Sequence, residues 1–119
     1  MHEVQGVILD KWASMGRERS FLGYPTTDET PTPDGVGRFN HFQGGSIYWI
    51  GDTGAHEVHG VILDKWASMG WERSFLGYPT TDEIEDSDGQ RRVSNFQHGS
   101  ITWSAATGAI VSPANVSLP

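Results

Sequence analysis

The sequence predicts an α+β fold of tandem helix-plus-β-hairpin repeats packed side by side. Three observations predict it. The first is a direct internal repeat with an offset of 54 residues, running from His2 to Ala55 and again from His56 to Ala109. A period of this length marks an array of supersecondary units rather than one irregular domain. The second is an apolar stripe at helical spacing near the start of each copy. The third is a pair of short, β-rich runs joined by glycine near the end of each copy. Units this small cannot each bury a core, so neighbours must pack on one another. The 119-residue chain is therefore divided as 2–55, 56–109 and a tail or partial cap at 110–119, within one folded domain.

The helix is predicted over 4–16. Val4, Ile8, Trp12 and Met15 form the stripe, Leu9 widens it, and Val58, Ile62, Leu63, Trp66 and Met69 repeat it. Gly6 and Gly60 mark its beginning, and Gly16 and Gly70 supply C-cap signals. Next comes FLGYPTTDE at 21–29 and 75–83, a turn with Tyr24 or Tyr78 as an aromatic plug. Gly23 suits a position of positive φ or one with no room for a side chain. Thr27-Asp28-Glu29 is placed to accept backbone N–H groups. The loop 30–37 diverges most from its counterpart and reads as an exposed connection, with turns at Asp34-Gly35 and Asp88-Gly89. RFNHF and SIYWI then make a hairpin, as do RVSNF and SITWS. Alternation puts Ile47 and Trp49 (Ile101 and Trp103) on one face. Tyr48 lies on the other, expected to be exposed because its counterpart is Thr102. Phe42 and Phe96 should pack inward.

Composition narrows the function. There is no cysteine, so neither disulfides nor a thiolate metal cluster holds the chain. The formal charge is −7, and both copies share the acidic excess. That balance disfavours nucleic acid and anionic membranes as partners, and no apolar run is long enough for membrane insertion. The start lacks the pattern of a signal peptide, and the preferred reading is a segment of a longer secreted protein.

Few residues carry a chemical signature. His56 and His59 have i,i+3 spacing, but copy one has Gln5 in place of His59, so ordinary polar histidines near a helix start outweigh a metal pair. Asp28/Glu29 and Asp82/Glu83 are paired carboxylates, thickened in copy two by Asp86 and Asp88; turn capping outweighs catalysis or Ca²⁺ binding. Ser20 and Ser74 lack a nucleophile-elbow context. No cofactor or metal site is predicted, and no catalytic residue. Equivalent repeated surfaces suit multivalent binding better than catalysis. Trp12, Trp49, Trp66 and Trp103 are read first as core and second as platforms for sugar stacking. Trp71, which replaces Arg17, is the leading candidate for ligand contact. Tyr48, Arg17, Arg73 and Asn40 accompany it.

The motifs together carry a family resemblance. HEVQGVILDKWASMG, FLGYPTTDE, DGVGRFNHFQGGSIYW and TGA, returning as FQHGSITW and TGA in copy two, resemble the LGFP repeat family over about residues 2–109. The resemblance implies a secreted or cell-wall-associated module of actinobacterial proteins, often following a mycolyltransferase, esterase or amidase domain. It implies a noncatalytic role in binding or anchoring to cell-wall polysaccharide or another glycan. The alternatives are a self-assembling spacer without a small ligand and a small cell-wall hydrolase. The motif residues Leu22, Gly23, Tyr24 and Pro25, with Leu76, Gly77, Tyr78 and Pro79, are read as structural. Arrays of the family commonly carry more units, so two units suggest either a homo-oligomer that completes a closed ring or a cap from the tail, IVSPANVSLP. Asn115-Val116-Ser117 is a formal sequon, discounted in a bacterial setting.

Overall fold

A computed structural model describes residues 2–85 and 90–113. The expectations on Asp86, Asp88, Gly89 and Asn115-Val116-Ser117 lie outside the described residues. Each copy opens with a ten-residue helix, α1 (Gly6–Met15) or α2 (Gly60–Met69). Both begin at the predicted glycine, whose φ is +55° in Gly6 and +63° in Gly60. Both end on a left-handed glycine, Gly16 or Gly70, whose N–H closes on the last turn. Residues ahead of each helix are extended, so Val4 and Val58 precede the stripe rather than lie on it.

The predicted hairpin is the centre of a larger sheet. Strands β1 (Thr30–Pro31), β2 (Arg38–Phe42), β3 (Gly45–Ile50) and β4 (Gly54–Val58) make one antiparallel sheet in that order. Strands β5 (Ile84–Glu85), β6 (Arg91–Phe96), β7 (Gly99–Ser104) and β8 (Gly108–Pro113) make the second. The fold is thus mixed α+β, but four strands replace two in each unit. The fourth strand crosses the sequence-repeat boundary. In β4 the head of copy two pairs back on copy one, with Tyr48 opposite His56 and Ile47 opposite Glu57. In β8 tail residues take the same place, with Ile101 opposite Val111 and Gly99 opposite Pro113. His56 and His59 therefore share no helix face: His56 lies on a strand and His59 is the extended residue before α2.

Leu22, Leu76 and Pro79 are fully buried, as their structural reading required. Gly23 and Gly77 meet both expectations at once. Their φ values are +70° and +77°, and an added Cβ would lie 2.5 Å from Oε1 of Gln43 or Gln97. Those glutamine oxygens accept the N–H of Tyr24 and Tyr78. Asp28 Oδ1 accepts the Glu3 N–H at 3.0 Å and Asp82 Oδ1 accepts the Glu57 N–H at 3.2 Å, so these carboxylates fasten the chain segment ahead of each helix.

The core divides unequally. Ile8, Trp12, Leu22, Phe42 and Ile47 form a small cluster in the first unit. The larger one joins both units: Tyr48, Ile50 and Val58 pack with Ile62, Trp66, Leu76, Tyr78, Phe96 and Ile101. Strand alternation explains the division. Ile47 and Trp49 face the helix of their own unit, and Tyr48 and Ile50 face the second unit. The face assignment of Tyr48 holds, but its expected exposure does not: it is 2% exposed, because the second unit covers that side of the sheet.

Candidate functional site

The junction between units is built from aromatic rings and a few polar ties. Tyr48 meets Trp66 edge-on at 4.8 Å and stacks on Phe39 at 4.9 Å. Burial raises the Tyr48 phenol far above its ordinary range. Tyr78 reaches from the second unit into the first, where its hydroxyl contacts Thr32 Oγ1 at 2.8 Å and Asp34 Oδ1 at 2.9 Å. The loop at 30–37 is accordingly not wholly an exposed connection, since Thr32 and Gly37 are buried beneath the Tyr78 ring. A Cβ on Gly37 would lie 2.5 Å from the Trp49 carbonyl oxygen and 2.8 Å from Tyr78 Cε2, so only glycine fits here, where copy two has Arg91. The Asp34-Gly35 turn forms as predicted. Lys11 of α1 pairs with Asp82 of the second unit, which also holds His56. Burial opposes the Asp82 charge, but these partners prevail and hold its carboxyl down at about 2.

No other unit packs against Tyr24 among the described residues. It is 59% exposed, whereas its counterpart Tyr78 is 4% exposed. The plug expected in both copies is therefore present in one.

Trp71 borders this junction. It lies on a 3-10 turn, Trp71–Arg73, with φ +60°, and Arg17 has the same left-handed backbone at φ +54°. Trp71 is half-buried rather than exposed. Its ring sits 5.0 Å from His41 and 5.7 Å from Trp66. Two hollows share His41 and Trp71 in their walls. One, of about 530 Å³, also has Gln43, Ser46 and Asp64; the other, of about 360 Å³, has Phe39, Glu72 and Arg73. Burial lowers the His41 pKa, favouring a neutral ring beside Trp71, and raises that of Glu72. The groove therefore offers an aromatic surface flanked by amide, carboxylate and guanidinium groups.

The other sequence candidates fall apart from it. Arg17 is exposed, with its guanidinium 5.9 Å from the Trp12 ring. Asn40 is fully buried, so its surface role is corrected: its Nδ2 donates to the carbonyls of Glu3 and Thr27 at 3.0 and 2.9 Å, tying two segments to the sheet. Tyr48 forms the floor of the groove at 2% exposure. Trp12 and Trp66 are core, whereas Trp49 and Trp103 remain half-buried.

A second constellation was missed. His59 Nδ1 lies 2.6 Å from Glu57 Oε2, and its Nε2 lies 3.2 Å from Glu83 Oε2. Arg92 contacts the same Glu83 oxygen at 3.2 Å. Burial opposes the His59 imidazolium, but the Glu57 hydrogen bond and the two carboxylate charges outweigh it and raise the pKa. Burial pushes the Glu83 pKa up as well. His59, Glu83 and Arg92 border a hollow of about 280 Å³ walled on one side by Trp103. A signal did exist in the sequence. The near-identical 28-residue halves differ at Gln5/His59 and Arg17/Trp71 alone, and both positions line a hollow in copy two.

No helix among the described residues is long and apolar enough to cross a membrane. Comparison with curated proteins returns no match. The sequence model of the LGFP repeat matches twice, over residues 22–74 and 76–114. Both matches carry LGYP, FQ, GSI, Trp and TGA. With most of the chain covered, the protein belongs to the LGFP repeat family, a repeat module of cell-surface proteins.

Proposed function

We propose that the chain is a noncatalytic cell-wall or glycan-binding module that anchors a secreted protein through the groove between its units. The observation that carries this reading is the half-buried Trp71 beside His41, bordered by Gln43, Asp64, Glu72 and Arg73. An aromatic face covers the apolar side of a pyranose, and the surrounding polar groups take its hydroxyls. Trp71→Arg installs the residue that copy one carries at the same backbone conformation. It should weaken retention on insoluble cell-wall polysaccharide by roughly tenfold or more, as loss of a central aromatic anchor does. Unchanged retention would remove the groove from consideration.

The hydrolase reading has less support. Glu57 and Glu83 converge, but both are tied to one imidazole, and Glu57 Oε1 also takes the Glu83 N–H at 3.1 Å. Such a pair suits holding structure rather than flanking a scissile bond.

A self-assembling role has one favourable observation. Lys11 and Asp82 join the units inside the chain, and their counterparts Lys65 and Asp28, one in each unit, are exposed. A second copy could therefore dock head to tail, with Tyr24 taking the place of Tyr78. The receiving face is less aromatic, with Val93 and Thr102 in place of Phe39 and Tyr48. Light scattering at rising concentration tests it. Lys65→Glu should abolish any dimer, and the added change Asp28→Lys should restore it; a monomer at every concentration ends this reading.

A further inference from the structure

The carboxylate beside the start of α2 is bonded differently from its counterpart beside α1. In copy one, Glu29 Oε1 accepts the backbone N–H of Gln5 at 3.2 Å, and Oε2 faces Arg38 at 3.4 Å. In copy two, His59 stands in place of Gln5 and holds Glu83 by Oε2, the oxygen that also takes Arg92. Glu83 Oε1 is left with no hydrogen-bond partner among the described residues, although the Glu83 side chain is only 2% exposed. An unmet acceptor at such a depth is costly and calls for a donor.

The surroundings narrow what that donor belongs to. Arg92 and Trp103 line the hollow with Glu83, and Val61 and Ile62 present the first turn of α2. No side chain caps that helix, so its first N–H groups remain free to donate. The charged groups are already paired: Glu57 and Glu83 with His59, and Glu83 and Glu85 with Arg92. A charged ligand would have to compete with one of these pairs. A neutral vicinal diol fits without doing so. One hydroxyl donates to Glu83, its neighbour accepts from Arg92 or a helix N–H, and the C–H face of the ring lies on Trp103. A volume of about 280 Å³ suits a single ring rather than an extended chain.

We infer that this hollow is a second carbohydrate subsite, specific to copy two, which receives one neutral sugar ring through its vicinal hydroxyls. It deepens the glycan-binding reading above and rests on it, but it is separate from the Trp71 groove. The two positions at which the near-identical halves differ then serve two sites: Trp71 for the groove and His59 for the pocket.

The test follows the indole N–H resonances of ¹⁵N-labelled full-length chain during titration with D-glucose, D-galactose and N-acetylglucosamine. The expected result is a saturable shift of the Trp103 indole with at least one sugar. His59→Gln should weaken it at least tenfold, because Gln is the residue of copy one and returns the carboxylate to its internal partner. Trp71→Arg should leave it within twofold. An unchanged thermal midpoint in both variants shows that the fold is retained. Shifts that Trp71→Arg removes and His59→Gln does not would overturn the pocket while leaving the groove in place. So would retention on polysaccharide without any response of Trp103 to the three sugars. Absence of both polysaccharide retention and sugar shifts would overturn the pocket and the glycan-binding reading together.

Discussion

Trp66→Ala is expected to lower stability by about 3–5 kcal/mol, and Trp12→Ala by less, despite their identical place in the repeat. Each indole N–H donates to the carbonyl of the glycine in its own turn, Gly77 or Gly23, at 3.2 Å. That bond cancels in the comparison. What differs is the packing. Trp66 is fully buried and touches Phe96 of its own unit, Trp71, and Tyr48 of the preceding one. Trp12 is 8% exposed, with its ring near Phe42 and the exposed Arg17. Removing Trp66 opens a cavity in the cluster that joins the units, which cannot collapse without separating them. Denaturant titration of both variants measures the gap. Equal losses would mean that the junction contributes nothing to stability.

Tyr78→Phe is expected to cost about 1–3 kcal/mol, while Tyr24→Phe should be neutral within roughly 0.5 kcal/mol. The Tyr78 hydroxyl is the sole difference removed, and it bridges to Thr32 and to the Asp34 carboxylate across the junction. The exposed Tyr24 bridges to no other unit among the described residues. The same hydroxyl has a pH signature. Burial, helped by the Asp34 charge, pushes the Tyr78 phenol from 10.0 up to about 12. Between those values the unfolded phenol has lost its proton and the folded one retains it. The folded state then binds more protons, so stability falls as pH rises through this window. Tyr78→Phe should remove that part of the alkaline decline. An alkaline limb identical in wild type and variant would show that Tyr78 titrates normally.

Much of the fold was legible because its signals are local. The helix limits follow from glycines that must adopt positive φ, and the hairpin follows from alternation around a glycine turn. The fourth strand was not legible. HEV at 56–58 follows the turn signal at Thr53-Gly54 but lacks an alternating pattern long enough to stand out, and it becomes a strand because β3 offers an edge beside it. The candidate sites divide in the same way. Trp71 stood out because a tryptophan replaces an arginine. Glu83, Arg92 and Trp103 did not, since in sequence they are a turn carboxylate, a strand cation and a core aromatic. Tyr48 looked available because its counterpart is Thr102, which is a statement about copy two, where no third unit lies against the sheet among the described residues. Asn40 is buried by segments of its own unit, and its counterpart Ser94 is buried too.

The sequence by itself determined the repeat, its α+β content, its turn glycines, the membership of its family and which residues on each strand share a face. These depend on backbone conformation and periodicity within a few residues. Tertiary structure alone decided which equivalent residues have equivalent roles. Tyr24 and Tyr78, Arg17 and Trp71, and Gln5 and His59 occupy matching positions, but one member of each pair has a neighbouring unit or sheet against it. Burial, the partners of a hydroxyl and the freedom of a carboxylate oxygen are set by that neighbour, and a repeat read along the chain does not contain it.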